Sequence, residues 1–567
     1  MYILGVWDGH DAGAALIDQH KIIFAANEER YTRRKLEVGF PRNAIQAALS
    51  FSGVNPTEIT DVAFATTDIS KTMERIFPRI KENYYSFRRR KSKPAFEHLR
   101  HRLKYNITTT GNLPGTRTIS SYMIRKQLHA VGIKKFKLHV IDHHNAHMAS
   151  ASMTSGMNKQ MTITMDGLGD GYSASVNVIT NGKIEERIRI GAKDSLGVFF
   201  EQATNIIGMR ELEDEGKLMA MADYSYPFDM NENRFKDFFI VEGARIRSRY
   251  SPGRQYQLLR DAAWSMPREQ FAFMVQQLTQ AAITKFVGNC INRFNMQDIS
   301  FAGGIFSNIK ANMSIRMQEE LKHWYVFPHM GDGGLALGSA LYARFEKLGF
   351  AHYDMHAYLG DEYSEEYTDG ILAKERAFKY EKMDNKSLAQ QAAQLISQGH
   401  YVLWFNGRME YGPRALGNRS ILASAQSEYV KEQLNIHIKK REWFQPFAPS
   451  IIEDDINRII KYDGKGMDKF MTMAYNTRDG VAQEMKSVVH IDGTARVQAV
   501  GEENSNYAQL LEQVKKACGI GIVLNTSFNI HGYPIVRSPE DAIKMMHESK
   551  TKYMFINGYF VTNRRGN

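Results

Sequence analysis

Cysteine is nearly absent from these 567 residues: only Cys290 and Cys518 occur. Two thiols exclude a disulfide framework and a cysteine zinc site, and their scarcity suits a reducing, cytoplasmic setting. Long hydrophobic runs are missing too, so no segment is expected to cross a bilayer. The N-terminal stretch is not expected to be a signal peptide, because Asp8, His10 and Asp11 interrupt its apolar residues. Acidic residues are scarce in one place. Residues 71–104 hold twelve Lys/Arg against three Glu, which is nine of the chain's eleven net positive charges. The rest is close to neutral, so the basic character belongs to one segment. That segment also carries Phe77, Tyr84, Tyr85, Phe87 and Phe96. Such a mixture can meet nucleic acid or an anionic substrate, although a solvated helical insertion is the plainer reading.

What is present is enough for more than one core. With 43% hydrophobic and 24% charged residues, the composition is that of a globular protein of at least two domains. The most telling stretch is 406–420, where Gly407, Gly412 and Gly417 stand five apart and Arg408, Arg414 and Arg419 follow them. Glycine lets a backbone turn tightly and approach a ligand, and arginine presents a planar charged fork to phosphate oxygens. The apolar run Tyr401–Phe405 before it reads as a buried strand. Strand, glycine loop and arginines together predict a cradle for a polyphosphate.

The first half contains a repeat. Tyr2–Trp7 reads as a strand, 8–13 as a polar aspartate turn, and two further strands lead to Glu28-Glu29-Arg30. Residues 161–190 repeat the pattern around Asp166-Gly167, 158 positions after Asp8. This predicts a duplicated α/β domain resembling the sugar-kinase/actin/Hsp70 design, in which two aspartate turns face each other. Between the repeats, His143 and His147 stand at i and i+4 on one helical face, the spacing two imidazoles need to share a metal. Asp166 and Asp332, each in a glycine turn, can add carboxylate oxygens. Two His and two Asp suit Fe(II), Mn(II) or Zn(II), and nothing in the sequence chooses among them. The turn at Gly303-Gly304, leading to Asn308, would bring a helix N-terminus to a nucleotide.

Nine blocks in order then mark a resemblance. They include Asp8-Gly9-His10-Asp11-Ala12, His143-His144-Asn145-Ala146-His147, Glu215-Gly216-Lys217-Leu218-Met219, Gly412-Pro413-Arg414-Ala415-Leu416-Gly417 and Leu524-Asn525-Thr526-Ser527-Phe528-Asn529. Over nearly its whole length the chain resembles the carbamoyltransferases grouped with nodulation protein U, cephalosporin 3-hydroxymethyl carbamoyltransferase and tobramycin O-carbamoyltransferase. The resemblance implies a Kae1-like domain at 1–355, with a basic insertion at about 71–118, followed by a YrdC-like domain at 356–567. It implies that the second domain makes carbamoyl-adenylate from carbamoyl phosphate and ATP, and that the first passes the carbamoyl group to an acceptor hydroxyl. By the same resemblance His143, His147, Asp166 and Asp332 hold the metal, His10 beside Asp8 acts on the acceptor, and Lys35 contacts the adenylate. Gly303, Gly304, Asn308 and Lys217 are expected at the nucleotide in the first domain. Arg408, Arg414, Arg419, Arg441, Arg496, Asn525 and Ser527 are expected to line the site of the second. The expected cofactor is a divalent metal, Fe(II) ahead of Mn, Zn or Mg.

Pro78, Pro94 and Pro114 divide the basic segment, so short helices with loops are expected there, shaping the acceptor pocket. The domain boundary is expected near 350–380, after an amphipathic helix at 335–348. A tRNA-modifying threonylcarbamoyl-type transferase is the alternative function; against it, the basic charge is confined to one insertion, so nucleic acid is not the expected partner. The hydrogenase-maturation carbamoyltransferase shares both domain types but needs cysteine zinc fingers, which two cysteines cannot build. A sugar, an aminoglycoside or another natural-product alcohol is compatible as acceptor, as is a homo-oligomer.

Overall fold

A computed structural model describes residues 1–79, 82, 83, 86, 89, 111, 113–481 and 484–563. The helix-and-loop reading of the basic segment between 80 and 112 lies outside the described residues. The chain divides into two compact units. One comprises 1–28 and 36–355; the other comprises 29–35 and 356–567. No described helix is long and apolar enough to cross a membrane.

The first unit is built on two five-stranded sheets. In one, β1 (Tyr2–Trp7), β2 (Gly13–Ile17), β3 (Ile22–Asn27), β4 (Ile59–Ala65) and β5 (Lys137–Ile141) lie in the order β3-β2-β1-β4-β5. The other contains β6 (Gln160–Gly169), β7 (Tyr172–Thr180) and β8 (Lys183–Gly191). A small hairpin, β9 (Phe239–Glu242) with β10 (Arg245–Ser248), intervenes before β11 (Asp298–Ala302) and β12 (His323–Val326) complete the order β12-β11-β6-β7-β8. In each sheet the first three strands form an antiparallel meander and the last two add in parallel on the other side of the first. The central strands are buried along nearly their full length, as strands covered on both faces must be.

Two helices join the sheets. Helix His143–Ser152 starts at Asp142, whose carboxylate accepts from the N–H groups of His144 and Asn145. It lies on β6 and β11, while helix Leu335–Leu348 lies on β1, β2 and β4 and against the first helix. Small residues permit that approach. A Cβ placed on Gly338 would stand 2.0 Å from the carbonyl oxygen of Ala146, so only glycine lets the two backbones meet there. This contact positions the histidine helix, and with it the site.

The second unit is one mixed eight-stranded sheet. Its strands are β13 (Phe378–Lys382), β14 (Val402–Phe405), β15 (Arg419–Ser424), β16 (Ala448–Ile452), β19 (Gln498–Val500), β20 (Ile522–Ser527), β21 (Tyr553–Ile556) and β22 (Tyr559–Asn563). They run in the order β13-β22-β21-β14-β15-β20-β16-β19, and the short pair β17 (Tyr475–Asn476) and β18 (Thr494–Ala495) stands apart. Helices Asn385–Ser397 and Ser505–Cys518 cover one face, burying Leu388, Ile396, Leu510, Leu511 and Val514 against Trp404 and Leu422. The glycine–arginine stretch singled out in the sequence is the connection from β14 to β15, two antiparallel neighbours.

Candidate functional site

In the first unit, helix periodicity places His143 and His147 side by side, with ring centroids 4.8 Å apart. Asp166 lies in β6 at a break in its register with β7, between Met165 and Gly169. Its Oδ2 stands 3.1 Å from the Nε2 of each histidine. Asp332 follows the turn after β12, and its Oδ1 is 3.6 Å from His143 Nε2 and 3.7 Å from His147 Nε2. Four ligand atoms, two imidazole nitrogens and two carboxylate oxygens, thus lie within 4.8 Å of one another. Gly169 makes room: a Cβ there would sit 2.2 Å from the His143 ring.

Electrostatics sharpen this picture. Burial opposes ionisation of Asp166, but hydrogen bonds with His143 and His147 hold it well below the usual carboxylate range. Burial and the neighbouring Asp166 charge push Asp332 well above that range. Burial opposes the charged form of His143, but the charge of Asp332 and the hydrogen bond His143 makes to Asp166 raise it. His144 points elsewhere. Its Nδ1 pairs with Thr164 Oγ1 at 2.7 Å, and burial followed by the charges of its two neighbours lowers it to about 3. Two buried carboxylates that repel each other beside two imidazoles form a donor set that fits a divalent cation.

His10 joins this cluster through Asp332, its Nδ1 lying 3.5 Å from Oδ2. Asp8 does not. Both its oxygens are taken by Arg75, at 2.8 Å from Nε and 2.9 Å from Nη2, in a buried bidentate pair. Arg75 also donates to the Thr66 carbonyl oxygen, tying the aspartate turn to the end of β4. This arginine had no signal in the sequence beyond membership of a charge run. Gly304 N approaches Asp166 Oδ1 at 3.3 Å, and Gly303 adopts a left-handed φ of 106°. Asn308 caps helix Ile309–Arg316 and exchanges amide hydrogen bonds with Gln276, while Lys217 pairs with Asp214 at 3.0 Å.

The second unit separates the arginines into two kinds. Arg419 is fully buried, and its Nη1 donates to the carbonyl oxygens of Asn406, Gly407 and Asn418 at 2.9, 3.1 and 2.9 Å. Arg408 donates to the carbonyls of Leu359 and Gly360. The expectation that both would face phosphate therefore meets a different use: Arg419 holds the loop's own backbone, and Arg408 ties the loop to the backbone of Leu359 and Gly360. Arg414 makes no hydrogen bond or ion pair among the described residues, and burial lowers it to about 10. Arg496 lies well below its ordinary value through burial and the charges of Arg414 and Arg441. Arg441, brought to about 10 by burial, stacks over Phe447 at 4.0 Å. Three guanidiniums thus repel one another in one place.

Lys439, which sequence reasoning missed, lies beside them. Its Nζ donates to Ser527 O and Oγ and to Asn529 O and Oδ1, at 2.5, 3.2, 3.1 and 2.8 Å. Burial, then the charges of Arg441 and Lys35, push it well below the usual lysine value. Lys35 therefore belongs with this cationic group, in the same unit. Ser527 pairs with Asn529, and Asn525 donates its amide to Ala415 O, Ser450 Oγ and Gln498 Oε1. Arg414, Arg441 and Arg496, with Lys439 beside them, outnumber the nearby carboxylates Glu442 and Asp468, an excess of positive charge that suits a multiply charged anion.

Two family models match the chain. Residues 2–341 match the family described as Carbamoyltransferase N-terminus, and 393–563 match Carbamoyltransferase C-terminus. The chain belongs to the carbamoyltransferase family, and it is an enzyme of that class. The uncharacterized protein MJ1051 of Methanocaldococcus jannaschii is 28% identical over 99% of both chains. Nodulation protein NolNO of Sinorhizobium fredii is 28% identical over 98% of this chain and 79% of its own. Among solved structures, HypF of T. kodakarensis covers 61% of this chain and 48% of its own at 13% identity, with a TM-score of 0.33.

Proposed function

We propose that this carbamoyltransferase is ATP-dependent and acts in two steps. The second unit converts carbamoyl phosphate, ATP and one water into carbamoyl-adenylate: water releases phosphate from carbamoyl phosphate, and an oxygen of the carbamate so formed displaces pyrophosphate from the α-phosphorus of ATP. The first unit then moves the carbamoyl group to a hydroxyl of a small acceptor, such as a sugar, an aminoglycoside or another natural-product alcohol. The carrying observation is the grouping of Arg414, Arg441 and Arg496 in one unit with no acidic partner at hydrogen-bond distance among the described residues. Two phosphorylated substrates need that excess of positive charge. The matching strand orders of the two sheets support a duplicated, Kae1-like first domain at 1–355, and we assign 356–567 as the YrdC-like domain.

His143, His147, Asp166 and Asp332 would hold a divalent metal, Fe(II) ahead of Mn, Zn or Mg. Such an ion supplies Lewis acidity at a carbonyl or phosphoryl oxygen. His10, oriented by Asp332, would take the proton of the acceptor hydroxyl as it attacks the carbamoyl carbon. The backbone N–H of Gly304, near the same carboxylates, would face the adenylate. In the second unit Arg414, Arg441 and Arg496 would neutralise the phosphates, and Lys35 and Lys439 would add charge beside them. The presence of only two cysteines supports a cytoplasmic, reducing setting for this reaction.

The test follows pyrophosphate and carbamoylated product separately. Arg414→Ala should slow pyrophosphate release by roughly 10- to 150-fold, since a charge-assisted contact is worth about 1.5–3 kcal/mol. His10→Asn should keep that release and lose roughly 10²–10⁴-fold in transfer. Undiminished pyrophosphate release by Arg414→Ala would remove the activation step from the second unit.

A further inference from the structure

The connection between β14 and β15 looks like a phosphate-binding nest, yet the chain itself fills it. Glu410 is buried, and its Oε1 accepts from the backbone N–H groups of Leu416, Asn418 and Arg419 at 2.8, 2.9 and 3.1 Å. Successive N–H groups converging on one point are what an anion seeks. Here a side-chain carboxylate occupies that point. Its second oxygen, Oε2, has no hydrogen-bond partner among the described residues, so the side chain is held by the loop alone. Gly417 N is likewise taken, by Ser420 Oγ at 3.1 Å.

A second anchor grips the loop five residues earlier. Arg30 donates from Nη2 to the carbonyl oxygen of Gly412 at 2.9 Å. Between the two anchored stretches the chain passes through Pro413 and Arg414. Among the described residues, Arg414 is the one arginine of the loop whose guanidinium is not spent on backbone carbonyls.

We propose that Glu410 is a positioning residue: a built-in anion that organises the loop backbone so that Arg414 is presented to a polyphosphate. The proposal rests on the reading of Arg414, Arg441 and Arg496 as the anion site. It changes the role of the glycine loop from phosphate cradle to scaffold, and it makes Arg30 the second support of the same scaffold. It also predicts an effect whose sign separates positioning from simple charge. Burial lowers Arg419 to about 10, and the nearby charge of Glu410 opposes that shift. Removing that negative charge would tighten an anion if field alone mattered, but losing the loop anchor weakens it.

Inorganic pyrophosphate is the probe, titrated calorimetrically into the full-length protein, with thermal unfolding followed in parallel. Arg414→Ala and Glu410→Ala should each weaken binding by about tenfold or more, as loss of a charge-assisted contact does. Glu410→Gln keeps an oxygen that can accept the three N–H groups and should stay within about threefold of wild type. Arg30→Ala should weaken binding in the same direction as Glu410→Ala. Unchanged or tighter binding by Glu410→Ala, with Arg414→Ala impaired, would overturn the positioning role and leave the arginine site standing. Unchanged binding by Arg414→Ala, Arg441→Ala and Arg496→Ala would overturn the arginine site itself. Should Glu410→Ala fail to fold, Arg30→Ala and Glu410→Gln decide: wild-type affinity in Arg30→Ala, or equal loss of binding and stability in Glu410→Gln, overturns the proposal.

Discussion

Asp468 shows how one carboxylate near the arginine group can couple stability to pH. It is buried, and its oxygens accept from the backbone N–H groups of Phe470, Thr472 and Met473 at 2.8, 2.5 and 2.7 Å. Burial nonetheless dominates these hydrogen bonds and raises it from 3.8 to about 6. The folded protein therefore keeps the proton at pH values where the unfolded chain has lost it. Stability from this group is full below the unfolded value and is lost as pH rises through about 6, a change of about 3 kcal/mol. Asp468→Asn removes the titration. Denaturation midpoints of the two proteins measured from pH 4 to 7 should diverge, wild type losing stability relative to the variant as pH rises; parallel curves would show that the backbone donors offset burial.

At the scale of elements, the joint between helices His143–Ser152 and Leu335–Leu348 carries the first site. Alanine normally stabilises a helix relative to glycine by about 0.5–1 kcal/mol. At Gly338 the sign should reverse, because the added Cβ meets the Ala146 carbonyl at 2.0 Å and backbone cannot swing aside. Gly338→Ala is expected to cost about 1–3 kcal/mol by overpacking. It should also displace His143 and His147, lowering metal uptake after dialysis against Fe(II) or Zn(II). An unchanged unfolding midpoint together with unchanged uptake would mean that the helices have slack at this contact. Both helices were legible in the sequence, one from its histidine spacing and one from its amphipathic pattern. Their contact was not, since nothing local marks Gly338 as the partner of Ala146.

At the scale of the whole molecule, the second unit is not one continuous piece of chain. Residues 29–35 belong to it. Tyr31 donates to Asp361 at 2.7 Å, Arg33 donates to the carbonyls of Ile535 and Pro534, and Arg30 holds Gly412. A chain beginning at residue 356 therefore lacks part of its own packing. Its thermal midpoint should rise when a peptide spanning 26–38 is added, by mass action on the folded state. A midpoint indifferent to the peptide at millimolar concentration would show that these contacts contribute little to the unit's stability.

Residue types and their order were enough to establish the family, the strand-and-turn pattern of 2–30 and 161–190, the strand before the glycine loop, and the residues gathered around Asp166. These follow from local rules: periodicity, glycine turns and i, i+4 spacing act within a few residues. Which groups remain available for chemistry was decided only by tertiary structure. Asp8 is spent on Arg75, 67 residues away, and Arg419 on carbonyls of its own loop. Arg414 makes no hydrogen bond among the described residues, while Glu410 fills the nest beneath it. A charged side chain reaches several ångströms and takes whichever partner the fold brings near. Its role is therefore a property of packing, which no local pattern encodes.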